Sequence, residues 1–233
     1  MSNKELETII IKSDQIDPDH FRLDASFYSK NAVSVENEIK NSGYEIATIS
    51  QLVDMRYLTR FKRIWLDGDF DGGVPYLSAS ETLSFKPLRL RHISTSEIKN
   101  AENYFVKKNW ILIECSGTVG VPVFVNKTLE KFFLDNHLLR LIPKDDTLPG
   151  YLYAYLYSKY GQTLLKRGQY GSVVKEIDPR QVGPIPVPMI PKSIQEDIHE
   201  KISCANDLRE KANELENEAI KLVEKTISES KKK

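Results

Sequence analysis

A proline-rich connector followed by a heptad-patterned segment constrains the fold of this chain most. Pro184–Pro188 and Pro191 favour an extended backbone, because proline fixes its own φ and disfavours helix at the residue before it. Ser193 can then begin a helix, with Glu196 three residues on completing a capping box. Further along, spacings of three and four alternate through Ala205, Leu208, Ala212, Leu215, Ala219, Leu222 and Thr226. This pattern predicts a coiled coil with alanine at one core position and leucine at the other.

The length of the predicted helix favours a partner helix. Ile194–Ile227 would extend about 50 Å, longer than a domain of this size needs. The alternative is one amphipathic helix packed on its own domain. We predict a domain over residues 1–190 and a helical arm over 193–230. A homodimer would form through the first six core positions, Ala205, Leu208, Ala212, Leu215, Ala219 and Leu222.

The residues before the connector predict an α+β fold with short, mostly antiparallel strands and a few helices. Trp110–Glu114, Val121–Val125 and Leu138–Ile142 are apolar, partly β-branched runs typical of strands. Ala25–Lys40 and Tyr151–Lys166 have helical patterns. Strands and helices do not alternate regularly, which argues against a parallel doubly wound sheet.

Charge is balanced overall but segregated along the chain. Lysine plus arginine and aspartate plus glutamate each number 33, so the formal net charge is zero. Between residues 157 and 175 there are four basic residues and no acidic one, whereas residues 193–230 hold five basic and ten acidic residues. A neutral protein can bind DNA when its positive charge is concentrated in this way.

Three basic clusters, at residues 60–63, 86–91 and 166–175, predict a double-stranded DNA interface. Lysine and arginine can bind phosphates, whereas glutamine, tyrosine, serine and threonine can hydrogen-bond base edges or backbone. Each cluster alone is more typical of a solvated surface, and their combination favours nucleic acid. The predicted DNA-binding residues are Arg60, Lys62, Arg63, Lys86, Arg89, Arg91, Thr118, Lys166, Arg167, Gln169, Tyr170 and Lys175.

Chemistry-bearing motifs are weak. The two cysteines, Cys115 and Cys204, have no metal-ligand spacing, and the four histidines are scattered. Ser116–Gly120 has two glycines but no phosphate-binding lysine. We therefore expect no catalytic residue, cofactor or metal. The apolar runs fall short of the roughly 20 residues that a membrane helix needs, and together with the cysteine usage they predict a cytoplasmic protein.

One enzyme alternative rests on the spacing of Asp19, Glu38 and Lys40, which matches a metal-dependent nuclease motif. In that motif two carboxylates hold magnesium and the lysine positions water. The motif requires the glutamate and lysine on a strand, whereas the sequence around them predicts a helix. A third alternative is a DNA-binding regulator without enzyme partners.

Several segments resemble the specificity subunits of type I restriction–modification systems, in both order and spacing. Together they cover nearly the whole chain. The first four are Leu23–Tyr28, Pro75–Ser80, Ile111–Gly120 and Asn136–Leu141. The later ones are Gly150–Leu156, Tyr160–Gln162, Ile185–Pro188 and Gln195–Ile198.

This resemblance implies a target-recognition domain, which reads one half of a split DNA target, followed by a long helix. In full-length members the unit occurs twice, the two helices pack antiparallel, and methyltransferase subunits bind around them. Here each motif occurs once, so the resemblance implies a half-length form. It leaves open whether the partner is a second copy or a different half, whether a restriction subunit takes part, and which bases are read.

Overall fold

The computed structural model describes residues 8, 10–13, 16, 22–66, 73–84, 91–171 and 173–230. The α-helices within these ranges are α1 (Lys30–Lys40), α2 (Ile49–Leu52), α3 (Pro149–Tyr157), α4 (Lys159–Gly168), α5 (Pro179–Val182) and α6 (Lys192–Ser230). The strands are β1 (Ile46–Thr48), β2 (Val53–Arg56), β3 (Trp65–Leu66), β4 (Gly73–Leu77), β5 (Arg91–Ser94), β6 (Ile111–Glu114), β7 (Pro122–Phe124), β8 (Phe133–Leu134), β9 (Leu138–Pro143) and β10 (Pro186–Pro188). None of the described helices is long and apolar enough to span a membrane.

The first sheet has the antiparallel order β2-β9-β6-β7. Successive side chains of a strand point to opposite faces, and β6 is buried on both. Ile111 and Ile113 pack in the core beneath α1, α3 and α4, whereas Leu112 packs in a second cluster with Leu134 and Leu138. The uninterrupted apolar run in β6 is therefore explained by cover on both sides.

The second sheet has the order β3-β5-β4-β8, in which β4 and β8 are parallel and the other pairs antiparallel. Its core includes Tyr104, whose ring stacks on Phe133 at a centroid distance of 4.8 Å. Arg140 of β9 joins the two sheets. Its buried guanidinium donates hydrogen bonds to the carbonyl oxygens of Tyr104, Leu134, Asp135 and Leu138. The predicted α+β class with mostly antiparallel strands is confirmed.

The predicted helix Tyr151–Lys166 is wrong, because the chain forms two helices that break at Ser158. Ser158 is the N-cap of α4, and its hydroxyl accepts a hydrogen bond from the Gly161 amide at 3.4 Å. Gly161 permits the sharp bend, since a Cβ there would lie 2.3 Å from the Tyr155 carbonyl oxygen. The predicted helix Ala25–Lys40 is also too long, because α1 begins only at Lys30, after its N-cap Ser29.

The proline connector forms a strand rather than a free linker. Residues 186–188 of β10 pair antiparallel with β1, and Ala47 lies opposite Val187. The hydroxyls of Tyr151 and Tyr155 on α3 donate to the carbonyl oxygens of Pro188 and Pro186. The connector therefore fixes the direction in which α6 leaves the domain.

The long helix α6 has 39 residues and divides into two halves. In the first half, Ile198 and Ile202 pack on the main core, His199 Nδ1 accepts the Gly150 amide at 3.0 Å, and Asp207 pairs with Lys108 at 2.7 Å. Residues 214–229 are all exposed. The alternative of a helix packed on its own domain therefore describes only the first half.

Candidate nucleic-acid interface

Three segments meet at one end of the first sheet. The pairings Arg56–Arg140 and Glu114–Leu138 place the C-terminal ends of β2 and β6 at the same end of the sheet, on either side of β9. Residues 57–63 follow β2, and residues 116–120 follow β6. Residues 168–178 join them, because the Ile177 amide donates to the Cys115 carbonyl at 3.1 Å. We call these three segments the loop end.

Residues 168–171 and 173–178 form a hairpin-like loop. Tyr170 and Glu176 exchange two backbone hydrogen bonds of 2.9 Å. The Tyr170 hydroxyl donates to Asp178 at 3.3 Å, and burial together with Asp178 and Glu176 raises the pKa of Tyr170 to about 12. At its tip the exposed fractions of Val173 and Val174 are 94% and 54%. The segment therefore presents an apolar tip on a fixed base.

Arg22 holds the start of this loop and was not predicted as a site residue. Its guanidinium donates to the carbonyl oxygens of Gly168 and Gln169, both at 2.9 Å, and also pairs with Asp24 at 2.8 Å. Hydrogen bonding from Arg22 is the main reason why the pKa of Asp24 falls to about 2. Its sequence signal was its position directly before the Leu23–Tyr28 segment that carries the resemblance.

The 116–120 loop is anchored from within. The buried Glu114 carboxylate accepts hydrogen bonds from the backbone and side chain of Thr118, while burial raises the pKa of Glu114. Gln169 Nε2 donates to the Val119 carbonyl at 3.2 Å and ties this loop to the 168–178 segment. Thr118 itself is exposed. Thr118, Gln169 and Tyr170 are thus brought together.

Exposed positive charge lies on the same loops. Arg60, Lys62 and Lys175 are exposed. Partial burial raises the pKa of Tyr57, the electrostatic influence of Cys115, Glu176 and Asp178 adds to this, and Arg60 opposes it. The Tyr104 hydroxyl supports the first segment by donating to the Thr59 carbonyl at 2.8 Å.

Arg63 and Arg91 gather instead around Tyr76 of the second sheet. Arg63 donates to the Tyr76 hydroxyl at 3.1 Å and to Asp135 at 2.9 Å. The Arg91 guanidinium lies 4.8 Å from the centre of the exposed Trp65 ring and pairs with Glu81 at 2.9 Å. Both arginines therefore already have an acidic partner within the protein. Trp65 is an exposed aromatic residue that the sequence interpretation missed.

The α4 cations separate into one exposed and one internal residue. Lys166 is exposed, whereas only 14% of the Arg167 side chain is. Arg167 forms an ion pair with Glu36 and lies 4.1 Å from the centre of the Phe27 ring. Its position fits a packing role rather than a phosphate contact. Lys86 and Arg89 lie outside the described residues.

The nuclease alternative finds no support in the geometry. Glu38 and Lys40 lie on α1, where Glu38 pairs with Lys159 at 3.8 Å and Lys40 with Glu36 at 2.9 Å. Asp19 lies outside the described residues. Within the part of the chain that the structure describes, no group of three His, Cys, Asp or Glu residues could hold a metal ion.

Comparison with known proteins gives one family. Residues 41–225 match the sequence model described as "Type I restriction modification DNA specificity domain". No curated protein sequence matches the chain.

Three solved structures align with the chain at low identity, and two of them have TM-scores above 0.5. One belongs to a study of "complex assembly and conformational transition of the type I R-M system": it has 13% identity, a TM-score of 0.52, and alignment over 83% of this chain and 47% of that one. The type IIG restriction endonuclease BpuSI has 9% identity, a TM-score of 0.54, and 76% and 28% coverage. The HsdS subunit from Thermoanaerobacter tengcongensis aligns with 14% identity, a TM-score of 0.49, and 78% and 44% coverage. The chain thus spans less than half of each of these proteins.

Proposed function

Because the chain belongs to the family of type I restriction modification DNA specificity domains, we propose that it recognises a specific sequence in double-stranded DNA and is itself not an enzyme. The loop end is the observation that carries this proposal. Exposed Arg60, Lys62 and Lys175 lie on loops that also carry Thr118 and Tyr170. Such an arrangement combines cations for phosphates with polar groups for base edges.

The loop end also suggests how the bases are read. Val173 and Val174 form an exposed apolar tip, which suits contact with a thymine methyl group in the major groove. The rigid base of that tip, held by Arg22 and by the Tyr170–Glu176 pair, would limit the entropy lost on binding. Lys166 stays in the proposed interface at its edge, and Arg167 supports it from inside. Gln169 would position the 116–120 loop.

A paired substitution tests the position of this interface. Arg60→Ala with Lys175→Ala should weaken binding and reduce the slope of log affinity against log salt by about 0.9 for each lost phosphate contact. Lys144→Ala with Lys192→Ala is the matched control. Lys144 donates to the carbonyl oxygens of Ser50 and Gln51 at the opposite end of the first sheet, and Lys192 donates to the backbone carbonyl oxygen of Asp146 nearby. Equal losses in both variants would contradict the proposed interface.

We further propose that residues 1–190 form the recognition domain and residues 193–230 an arm for assembly. Two chains would associate through the arm, and methyltransferase subunits in the cytoplasm would be directed to the target by the pair. The exposed leucines support this: Leu208, Leu215 and Leu222 are 65%, 53% and 66% exposed on one side of α6. Co-purification with a DNA methyltransferase tests whether the pair recruits methyltransferase subunits. A chain that binds DNA but captures no methyltransferase would indicate a free-standing regulator.

A further inference from the structure

The second half of α6 carries an apolar strip that its own domain does not cover. In the first half, Ile202, Asn206 and Asn213 face the domain. Spacings of three and four residues continue the same side of the helix to Ile220, Val223 and Ile227. These three side chains are 48%, 59% and 56% exposed. The side of α6 that packs on the domain in the first half of the helix thus stays apolar in the second half, beyond the last contact with the domain.

The core positions indicate how a second copy would pair with this helix. If Ala212 lies opposite Leu215 of an antiparallel partner, then Ala205 lies opposite Leu222 and Leu208 opposite Ala219. Every layer then contains one small and one large side chain, so the helices keep a constant separation. A parallel pair would alternate Ala–Ala with Leu–Leu layers, which leaves gaps or forces the helices apart.

The flanking charges favour this one alignment over its neighbours. With Ala212 opposite Leu215, Arg209 lies beside Glu216 of the partner, and Lys211 beside Glu218. A shift of seven residues in one direction brings Glu216 and Glu218 beside their own copies. A shift in the other direction does the same to Arg209 and Lys211. Because like charges at such positions repel, the neighbouring alignments are disfavoured.

The same alignment brings the end of the partner helix to an apolar groove. It places the partner's Ile227 within one helical turn of Ile198. Ile198 precedes Ala205 by seven residues and so faces the partner helix. It also lines an open groove of about 430 Å³ with Tyr151, Ala154, Tyr155, Tyr160 and Ile190. Tyr151 and Tyr155 bind the β10 carbonyls through their hydroxyls, so these rings present their apolar parts to the groove.

We propose that this groove receives the end of the partner's α6, with Val223 and Ile227 of one copy packed against Ile198 and Ala154 of the other. The proposal rests on the homodimer proposed above and adds its alignment and a second contact. Each recognition domain is then held by two helices, its own first half and the partner's second half. Such clamping fixes the orientation of the two domains as well as their separation.

Site-specific cross-linking tests the groove directly. In a Cys204→Ser background, Ala154→Cys and Ile227→Cys proteins are mixed and treated with a short bismaleimide. We expect a covalent dimer from the mixture and at most a trace from either protein alone. Ile220→Cys replaces Ile227→Cys in the matched control, because it lies on the same side of the helix one heptad earlier. That mixture should cross-link at least tenfold less.

Light scattering on the same proteins separates the possible failures. A monomer at micromolar concentration would overturn both the homodimer and the groove contact. If the protein is a dimer but the Ile220→Cys mixture cross-links as efficiently as the Ile227→Cys mixture, only the groove contact is overturned. The same holds for a dimer in which neither mixture cross-links. DNA binding by the loop end is measured independently of either result.

Discussion

At the scale of single residues, the surroundings of each arginine decide its role. Arg60 is exposed, Arg22 holds two loop carbonyls, and Arg140 is buried among four. Burial lowers the pKa of Arg140 to about 10, which still leaves it charged at neutral pH. An exposed cation such as Arg60 can bind phosphate without first breaking internal contacts, whereas Arg22 and Arg140 cannot.

The Arg22–Asp24 pair predicts a pH dependence. The pKa of Asp24 is lowered from 3.8 to about 2, so the pair stabilises the fold fully above pH 3.8 and loses this contribution as the pH falls towards 2. Arg22→Gln should return the pKa of Asp24 towards 3.8 and increase amide exchange in residues 168–171. Carboxyl NMR titration measures the first effect and hydrogen exchange the second.

Arg180→Gln is the control for this prediction, since Arg180 pairs with Asp178 at 2.8 Å and makes no contact with Asp24 in the described hydrogen bonds. An Asp24 pKa near 2 in the Arg22→Gln protein would show that another group holds the carboxylate.

At the scale of elements, the break between α3 and α4 shapes the loop end. After the break at Ser158, Gln162 donates to the carbonyls of Gly120 at 3.1 Å and Leu156 at 2.9 Å. It therefore links the bend to the 116–120 loop. The last turn of α4 then places the Gly168 carbonyl oxygen within hydrogen-bond distance of Arg22.

Two glycine substitutions should differ in cost. Gly161→Ala would place a Cβ 2.3 Å from a backbone oxygen and 2.5 Å from the Leu156 Cα, so we expect a loss of about 3 kcal/mol or more in the free energy of unfolding. Gly43 has a φ of +77° but open space around it, so Gly43→Ala should cost about 1 kcal/mol. Urea unfolding measures both, and equal costs would contradict the close approach at Gly161.

The sequence predicts elements better than it predicts long-range partners. The runs that gave β6, β7 and β9 were recognisable because apolar β-branched residues lie between turn residues. The inward position of Arg167 depends on Glu36, 131 residues away, which no local pattern contains. The break at Ser158 was not predicted, because the spacing of apolar residues in Tyr151–Lys166 fits one continuous helix and does not reveal the close backbone approach at Gly161. The basic loops of the proposed site could be identified from the sequence. The hydrogen bonds from Arg22 to the Gly168 and Gln169 carbonyl oxygens could not, because they depend on the folded chain.

At the scale of the whole molecule, the proposed homodimer would use the arm to set the separation of its two recognition domains. A helix of 39 residues is about 58 Å long. In an antiparallel pair the two-fold axis crosses the helices, so one domain lies at each end. Half-sites should therefore be identical, inverted and more than one DNA turn apart.

Bulk in the helix pair should separate the two copies. Ala212→Trp with Ala219→Trp overpacks the closest approach, at about 1–3 kcal/mol per site, and should give a monomer that binds a half-site only weakly. Asn217→Trp with Glu224→Trp, which lie outside the core positions, should remain dimeric. Sedimentation and light scattering decide, and a dimeric Ala212→Trp/Ala219→Trp protein would place the interface elsewhere.

Selection of bound sequences from a random double-stranded DNA library by the purified chain tests the central claim most directly. The account predicts enrichment of two identical, inverted half-sites with a fixed spacer longer than one helical turn. Arg60→Ala/Lys175→Ala should reduce that enrichment, and Lys144→Ala/Lys192→Ala should not. Enrichment of no sequence, or of a single uninterrupted site, would contradict it.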